Sequence, residues 1–152
     1  MKTIIAVDPG TTESGVIFWD GGPKIEMARK MPNDELLSML RMQLLEDCEL
    51  HIEMIASYGM AVGKEVFETC VWIGRFQESF KGRTSLVYRR DIKLHHCGQA
   101  RAKDGEVAQA LRDKYGVKGT KAAPGFFYGF SADVWQAFAL SAYVVETNKK
   151  SV

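Results

Sequence analysis

The amino-acid order predicts an α/β domain built on a mixed sheet. Two observations point there. Three short strand-like runs open the chain with only turn residues between them. After them, segments of helical periodicity alternate with short apolar runs. The order reads βββαβαβαα, so three antiparallel strands begin a sheet that later becomes mixed.

Thr3–Val7 is a β-branched run bounded by Pro9-Gly10, as expected of a buried strand. Asp8 to Gly15 is a turn, and Gly15–Asp20 a second strand. Asp20-Gly21-Gly22-Pro23 is a hairpin signal leading into a third strand over Lys24–Lys30. Pro32-Asn33-Asp34-Glu35 begins a helix whose stripe is Leu36, Leu37, Leu40, Leu44 and Leu45. Leu50–Ala56 is a short strand with Glu53 in its middle. Beyond a loop at Gly59–Gly63, Lys64–Phe80 reads as a second helix, with Val66, Phe67, Cys70, Val71, Gly74 and Phe80 facing inward. Thr84–Arg89 is a fifth strand, and Asp91–Ala102 has no regular pattern. Lys103–Tyr115 is helical, with Val107, Ala110 and Leu111 on one side and Gly116 as its stop. Val117–Gly129 is a loop, and Ser131 is a good N-cap for a last helix over Ala132–Glu146.

A chain of 152 residues is expected to form one domain, residues 1–152. Its 46% hydrophobic and 26% charged composition is ordinary for a globular protein and excludes collagenous and disordered classes. No run approaches the roughly 20 apolar residues of a membrane span. The first apolar run is too short for a signal peptide and is interrupted by Asp8. Cys48, Cys70 and Cys97 are an odd, scattered set, which argues for a reducing compartment. Cytoplasmic residence, without membrane partners, is the expectation.

Charge is uneven. Between Lys81 and Lys103 seven basic residues (Lys81, Arg83, Arg89, Arg90, Lys93, Arg101, Lys103) face only Asp91. That segment carries +6 and the rest of the chain −5, for a total of +1. The asymmetry fits a phosphate-binding face beside metal-binding acids, or a solvated loop and strand edge. Arg89, Arg90, Lys93, Arg101 and Lys103, with Lys118 and Lys121 further on, are the candidate DNA contacts.

Three acids stand in unusual settings. Asp8 ends an apolar strand at the rim of the sheet, where it needs a partner or a cation. Asp-Pro-Gly is also good turn chemistry. Glu53 lies between Ile52 and Met54; it faces solvent in a half-exposed sheet and needs a partner in a sheet covered on both faces. Asp133 opens a mostly apolar helix, where the helix dipole alone would favour it. Brought together by one fold, such acids suit a two-metal nuclease, since Mg²⁺ prefers carboxylate, phosphate and water oxygens. Two ions roughly 4 Å apart then activate the nucleophile and stabilise the leaving oxygen. Lys103 suits a contact to the scissile phosphate and Asp104 a further metal ligand, or both simply suit a helix start.

His95-His96-Cys97 lacks a second ligand pair at zinc spacing, so structural zinc is not expected. Phe126, Phe127, Tyr128 and Phe130 fit either base stacking or core packing. Gly59-Met60-Ala61-Val62-Gly63 fits a flexible active-site loop or a plain helix entry.

These stretches resemble the RuvC-type Holliday junction resolvases, particularly their short phage and prophage versions. The matching pieces are Ile5-Ala6-Val7-Asp8-Pro9-Gly10 with Ser14-Gly15, Ile52-Glu53, Gly59-Met60 with Val62-Gly63, Ile92-Lys93 through Gly98, Ala102-Lys103 with Val107, and Ala132-Asp133 with Ala137 and Leu140. They keep the family's order over nearly the whole chain. The resemblance implies an RNase H-like five-stranded sheet flanked by helices. It implies a homodimer, formed through the helix Lys64–Phe80, that uses Mg²⁺ or Mn²⁺ to cut two strands of a four-way or branched DNA junction. It casts Asp8, Glu53 and Asp133 as metal ligands and Lys103 as the lysine near the scissile phosphate. One departure is Phe130, which stands where the bacterial enzymes carry another ligand. Asp104 is the candidate replacement.

Two other readings compete. Asp8-Pro9-Gly10-Thr11-Thr12-Glu13-Ser14-Gly15 also resembles the first phosphate loop of actin-like ATPases and sugar kinases, which need two such domains. A non-catalytic RNase H-like DNA-binding or scaffold protein is the third, and the three acids argue against it.

Overall fold

The structure is a computed structural model and describes residues 2–42 and 47–150, the last two by backbone alone. Its elements in chain order are β1 (Thr3–Asp8), β2 (Glu13–Trp19), β3 (Met27–Pro32), α1 (Asn33–Met42), β4 (Cys48–Met54), α2 (Lys64–Ser79), β5 (Thr84–Tyr88), α3 (Arg89–Cys97), α4 (Asp104–Tyr115) and α5 (Ala132–Lys150). The five strands form one mixed sheet, ordered β3-β2-β1-β4-β5. β1, β2 and β3 are an antiparallel meander, while β4 and β5 join in parallel through crossover helices, as parallel pairing requires.

Helices cover both faces. Ile5, Val7, Val16, Leu50 and Ile52 pack under α1 and α2 with Leu36, Leu40, Ile73 and Phe76. Ile4, Ala6, Ile17 and Trp19 pack on the other face with Val107 and Leu111 of α4 and Val134, Phe138 and Val145 of α5. This double cover makes every residue from Glu49 to Glu53 buried, polar ones included. Glu53 is therefore not the solvent-facing glutamate of a half-exposed strand.

Three expectations need correction. Asp91–Ala102 is not irregular throughout: Arg89–Cys97 is a helix, ended by Gly98 at φ 74° with its N–H bonded to Leu94 O. Only Ile92 of that helix is buried, too sparse a stripe to betray the period. The order is thus βββαβαβααα. The inward face of α2 is Thr69, Ile73 and Phe76, continued by Phe80, whereas Phe67, Val71 and Gly74 are exposed. Both stripes are apolar, and the one with Ile73, Phe76 and Phe80 offers more area to the core. The third strand is Met27–Pro32 rather than Lys24–Lys30. Leu44 and Leu45 lie outside the described residues. No helix among the described residues is long and apolar enough to cross a membrane.

Candidate active site

Strand geometry puts the first two acids together. β1 and β4 are parallel neighbours with Val7 opposite Ile52, so Asp8 and Glu53 follow one residue later at the same end. Val7 and Ile52 point toward α1 and α2. By alternation, Asp8 and Glu53 point to the opposite face, toward α5.

The turn after Asp8 is braced from afar. Ser14 Oγ donates to Asn33 Oδ1 at 2.6 Å, Asn33 Nδ2 donates to Gly10 O at 2.9 Å, and Gly10 N donates to Ser14 Oγ at 3.3 Å. A Cβ on Gly10 would collide with the carbonyl of Glu13. The Asp-Pro-Gly signal is therefore both turn chemistry and the anchor of a half-buried carboxylate.

Asp133 arrives through Gly15. Gly15 pairs with Asp8 across β1 and β2. Having no side chain, it lets the backbone of Asp133 lie directly on the sheet. The first turn of α5 thereby meets the edge that carries Asp8.

Side-chain exposure falls from 41% at Asp133 to 13% at Asp8 and 8% at Glu53. Burial, and then the nearby Glu53 carboxylate, push the Asp8 carboxyl up to about 8, against the pull of Arg89. Burial also raises Glu53, outweighing its ion pair with Arg89. Among the described residues no N–H or hydroxyl donor reaches the buried Glu53 Oε2, while a hydrogen bond between the two carboxyl groups raises Asp8 and lowers Glu53.

Basic side chains already touch these acids. Arg89 Nε donates to Glu53 Oε1 at 2.5 Å, and Arg89 Nη2 lies 3.7 Å from Asp8 Oδ1. Lys30 Nζ lies 2.9 Å from Asp133 Oδ2, and that contact raises the lysine's pKa. Among the described residues, Asp8, Glu53 and Asp133 do not bring one oxygen each within 4.8 Å of all the others. The donor set nonetheless fits a hard divalent cation. It offers carboxylate oxygens, one of them reached by no N–H or hydroxyl donor among the described residues, on groups whose burial leaves them short of positive charge.

The other predicted residues scatter more widely. Arg89, Arg90, Lys93 and Arg101 line one cavity of about 520 Å³ together with Tyr58 and Ala100. Arg89 also reaches the acids, a role that its place in a basic run did not reveal. Lys93 Nζ lies 3.5 Å from Asp104 Oδ1. Asp104 is exposed and starts α4; it raises Glu53 electrostatically but pairs with Lys93. Lys103 is exposed, and its backbone N–H donates to Glu106 Oε2 at 3.2 Å. Lys118 and Lys121 are exposed around the isolated Gly119–Pro124 bridge. Phe130 is buried against Phe127, Trp135 and Phe138, so it belongs to the core. Phe127 is core as well, while Tyr128 is exposed.

His95, His96 and Glu146 do bring ligand atoms within 4.8 Å of one another. They form a satisfied network instead of an open metal centre. Glu146 accepts from His95 at 3.0 Å, Lys114 at 2.5 Å and Tyr115 at 2.6 Å, and His96 donates to Ala139 O at 2.8 Å. Three residues escaped the sequence reading. Lys30 is one; its alternation in an edge strand gave no hint of a partner. The others are Glu49 and His51, buried side by side, with His51 Nε2 donating to Glu49 at 3.0 Å and Nδ1 accepting from Ser85. Charged residues inside an apolar strand were the available signal.

No family model and no curated protein sequence matches this chain. Solved structures do. A Thermus thermophilus RuvC structure aligns with a TM-score of 0.65 at 15% identity, covering 96% of each chain. T. thermophilus RuvC in complex with Holliday junction substrate aligns with a TM-score of 0.67 at 13% identity, covering 95% of this chain and 96% of that one. The likeness establishes a RuvC-type, RNase H-like fold.

Proposed function

We propose that this chain is a divalent-metal-dependent endonuclease that resolves four-way or branched DNA by paired cuts. The observation that carries the reading is the pair of half-buried Asp8 and buried Glu53, whose Oε2 no basic side chain meets among the described residues, opening beside a cavity lined by Arg89, Arg90, Lys93 and Arg101. Acids that need a cation next to cations that need an anion describe a site for a metal and a phosphodiester together.

Asp8, Glu53 and Asp133 are the residues that would hold Mg²⁺ or Mn²⁺, with Asp104 as a fourth candidate and two ions as the proposed load. When bound, the ions supply charge stabilisation at the phosphate and a more acidic attacking water. Arg90, Lys93 and Arg101 bind the DNA backbone and fix its register, and Lys103 reaches the scissile phosphate from the start of α4. Lys118 and Lys121 extend the contact along an arm of the junction. The junction assignment draws on the fold's likeness to a protein whose structure holds that substrate.

Paired cutting asks for two copies. The outward stripe of α2 supports a homodimer: Phe67 and Val71 are each 62% exposed, and neither contributes to the core. A two-fold axis through α2 would present two identical sites to a two-fold junction.

The test is cleavage of synthetic four-way junctions, three-way branches and linear duplexes with Mg²⁺ or Mn²⁺. The four-way junction should be cut at paired positions, and D8N or E53Q should abolish cutting. Absence of cleavage by the wild type with either ion overturns the reading. One observation favours a non-catalytic DNA-binding protein instead: Arg89 and Lys30 already pair with the acids. Salt-sensitive junction binding without cleavage would select that alternative.

A further inference from the structure

Arg89 stands between two cavities of opposite character. One, of about 300 Å³, is lined by Asp8, Pro9, Glu53 and the strand end at Met54 and Ile55. The other, of about 520 Å³, is lined by Arg90, Lys93 and Arg101. Among the described residues, only Arg89 and Tyr58 border both. Tyr88, the residue before Arg89, is held in the sheet by pairing with Met54, so a displacement of the guanidinium would come from side-chain torsions.

Its present bonds lie on the acidic side, at Glu53 and Asp8. The side chain is still 40% exposed, and a guanidinium carries five N–H donors in a fork suited to phosphate. A phosphodiester in the basic cavity would compete with Glu53 for Arg89. A divalent cation among the carboxylates would compete with Arg89 for Glu53. Both ligands would break the same contact, and each would gain from the other's having broken it.

We propose that Arg89 is an internal counter-cation that holds the Asp8–Glu53 pair in the free protein and swings to the DNA backbone when both ligands bind, so that phosphate binding and divalent-cation binding are positively coupled through this side chain. The coupling is reciprocal by thermodynamic necessity. It gives the acids a stable state before DNA arrives and ties metal loading to the presence of substrate. This inference rests on the nuclease reading of the same carboxylates.

Calorimetric titration of the full chain with Mn²⁺ tests it, alone and with a saturating short linear duplex whose own Mn²⁺ uptake is subtracted. Wild type should bind Mn²⁺ roughly fivefold more tightly with the duplex present. R89Q should bind Mn²⁺ roughly tenfold more tightly than wild type without DNA, and the duplex should tighten it by a smaller factor than in wild type. Unchanged or weaker Mn²⁺ binding by R89Q overturns the coupling.

R89K keeps the charge without the fork and should fall between the two. It replaces R89Q if that variant loses its cooperative melt, and R89K equal to wild type would then overturn the proposal. E53Q separates the two levels. Loss of Mn²⁺ binding in E53Q with no effect of R89Q rejects the coupling and leaves the nuclease reading standing. Mn²⁺ binding untouched by E53Q rejects both.

Discussion

The carbonyl oxygen of Asp133 occupies the space that a Cβ on Gly15 would need. This contact sets how closely α5 approaches β2, and with it the distance from Asp133 to the Asp8 edge of the sheet. Gly15→Ala must push the first turn of α5 outward, against the packing of Val134 and Phe138. The expected loss is about 1–3 kcal/mol in urea unfolding, with the proposed nuclease activity falling further than stability accounts for. Gly105→Ala is the control. It lies in the first turn of α4 with nothing within 4 Å of the added Cβ, so a gain of roughly 0.5–1 kcal/mol is expected. Equal effects at the two sites would refute the close-approach account.

The two faces of α2 should separate folding from association. Phe76→Ala deletes a fully buried ring and should destabilise the fold by about 3–5 kcal/mol. Val71→Glu alters an exposed side chain and should lower the melting temperature only by the stabilisation that association supplies, leaving a value independent of protein concentration. Sedimentation should then show wild type as a dimer and Val71→Glu as a monomer. A wild type that sediments as a monomer at micromolar concentration rejects the proposed interface.

The same helix shows where the sequence stops informing. Its existence is legible, but two apolar stripes compete for the core, and only the volume of Ile73, Phe76 and Phe80 decides between them. Asp8 and Glu53 are legible because each interrupts an apolar strand. Lys30 is not, because its meeting with Asp133 depends on β2–β3 register and on the glycine contact that seats α5. The Ser14–Asn33–Gly10 brace is likewise a long-range product of the meander. Arg89 reads as one cation among seven, and its distinct role emerges only where β5 delivers it beside Glu53.

Two sets of groups outside the carboxylate site should each withdraw stability as pH falls. Burial lowers the pKa of His51 and of His96, so the folded chain resists protons that the unfolded chain accepts near 6.5. Unfolding is therefore favoured as pH drops through about 6.5 toward the lower folded values. The second stage belongs to Glu146. Burial alone would raise it, but hydrogen bonds from Lys114, Tyr115 and His95 outweigh burial and hold it at about 2. Its contribution is complete above the unfolded value of 4.5 and vanishes as pH falls toward 2. Asp8 and Glu53 act in the opposite sense, because their raised carboxyls hold protons more tightly in the folded chain. Urea midpoints of the D8N/E53Q variant, which lacks both groups, should show both declines, and adding Glu146→Gln should remove the second at a cost of about 2 kcal/mol at neutral pH. A midpoint of D8N/E53Q that stays flat between pH 7 and 3 would contradict both assignments.

DNA affinity should depend on salt through identifiable side chains. Arg90 and Arg101 line the basic cavity and are exposed, so each is free to neutralise one phosphate. Arg90→Ala and Arg101→Ala should each reduce the slope of log affinity against log salt by about 0.9 for duplex arms. Lys93 differs, because its ammonium already lies near Asp104 and is mostly buried. Lys93→Ala removes a proposed phosphate contact and also releases Asp104, whose charge would then repel the backbone. It should therefore weaken binding more than either arginine change. Asp104→Asn in the Lys93→Ala background should recover part of that loss. If the double variant binds no better than Lys93→Ala alone, the Lys93–Asp104 pair has no part in DNA binding.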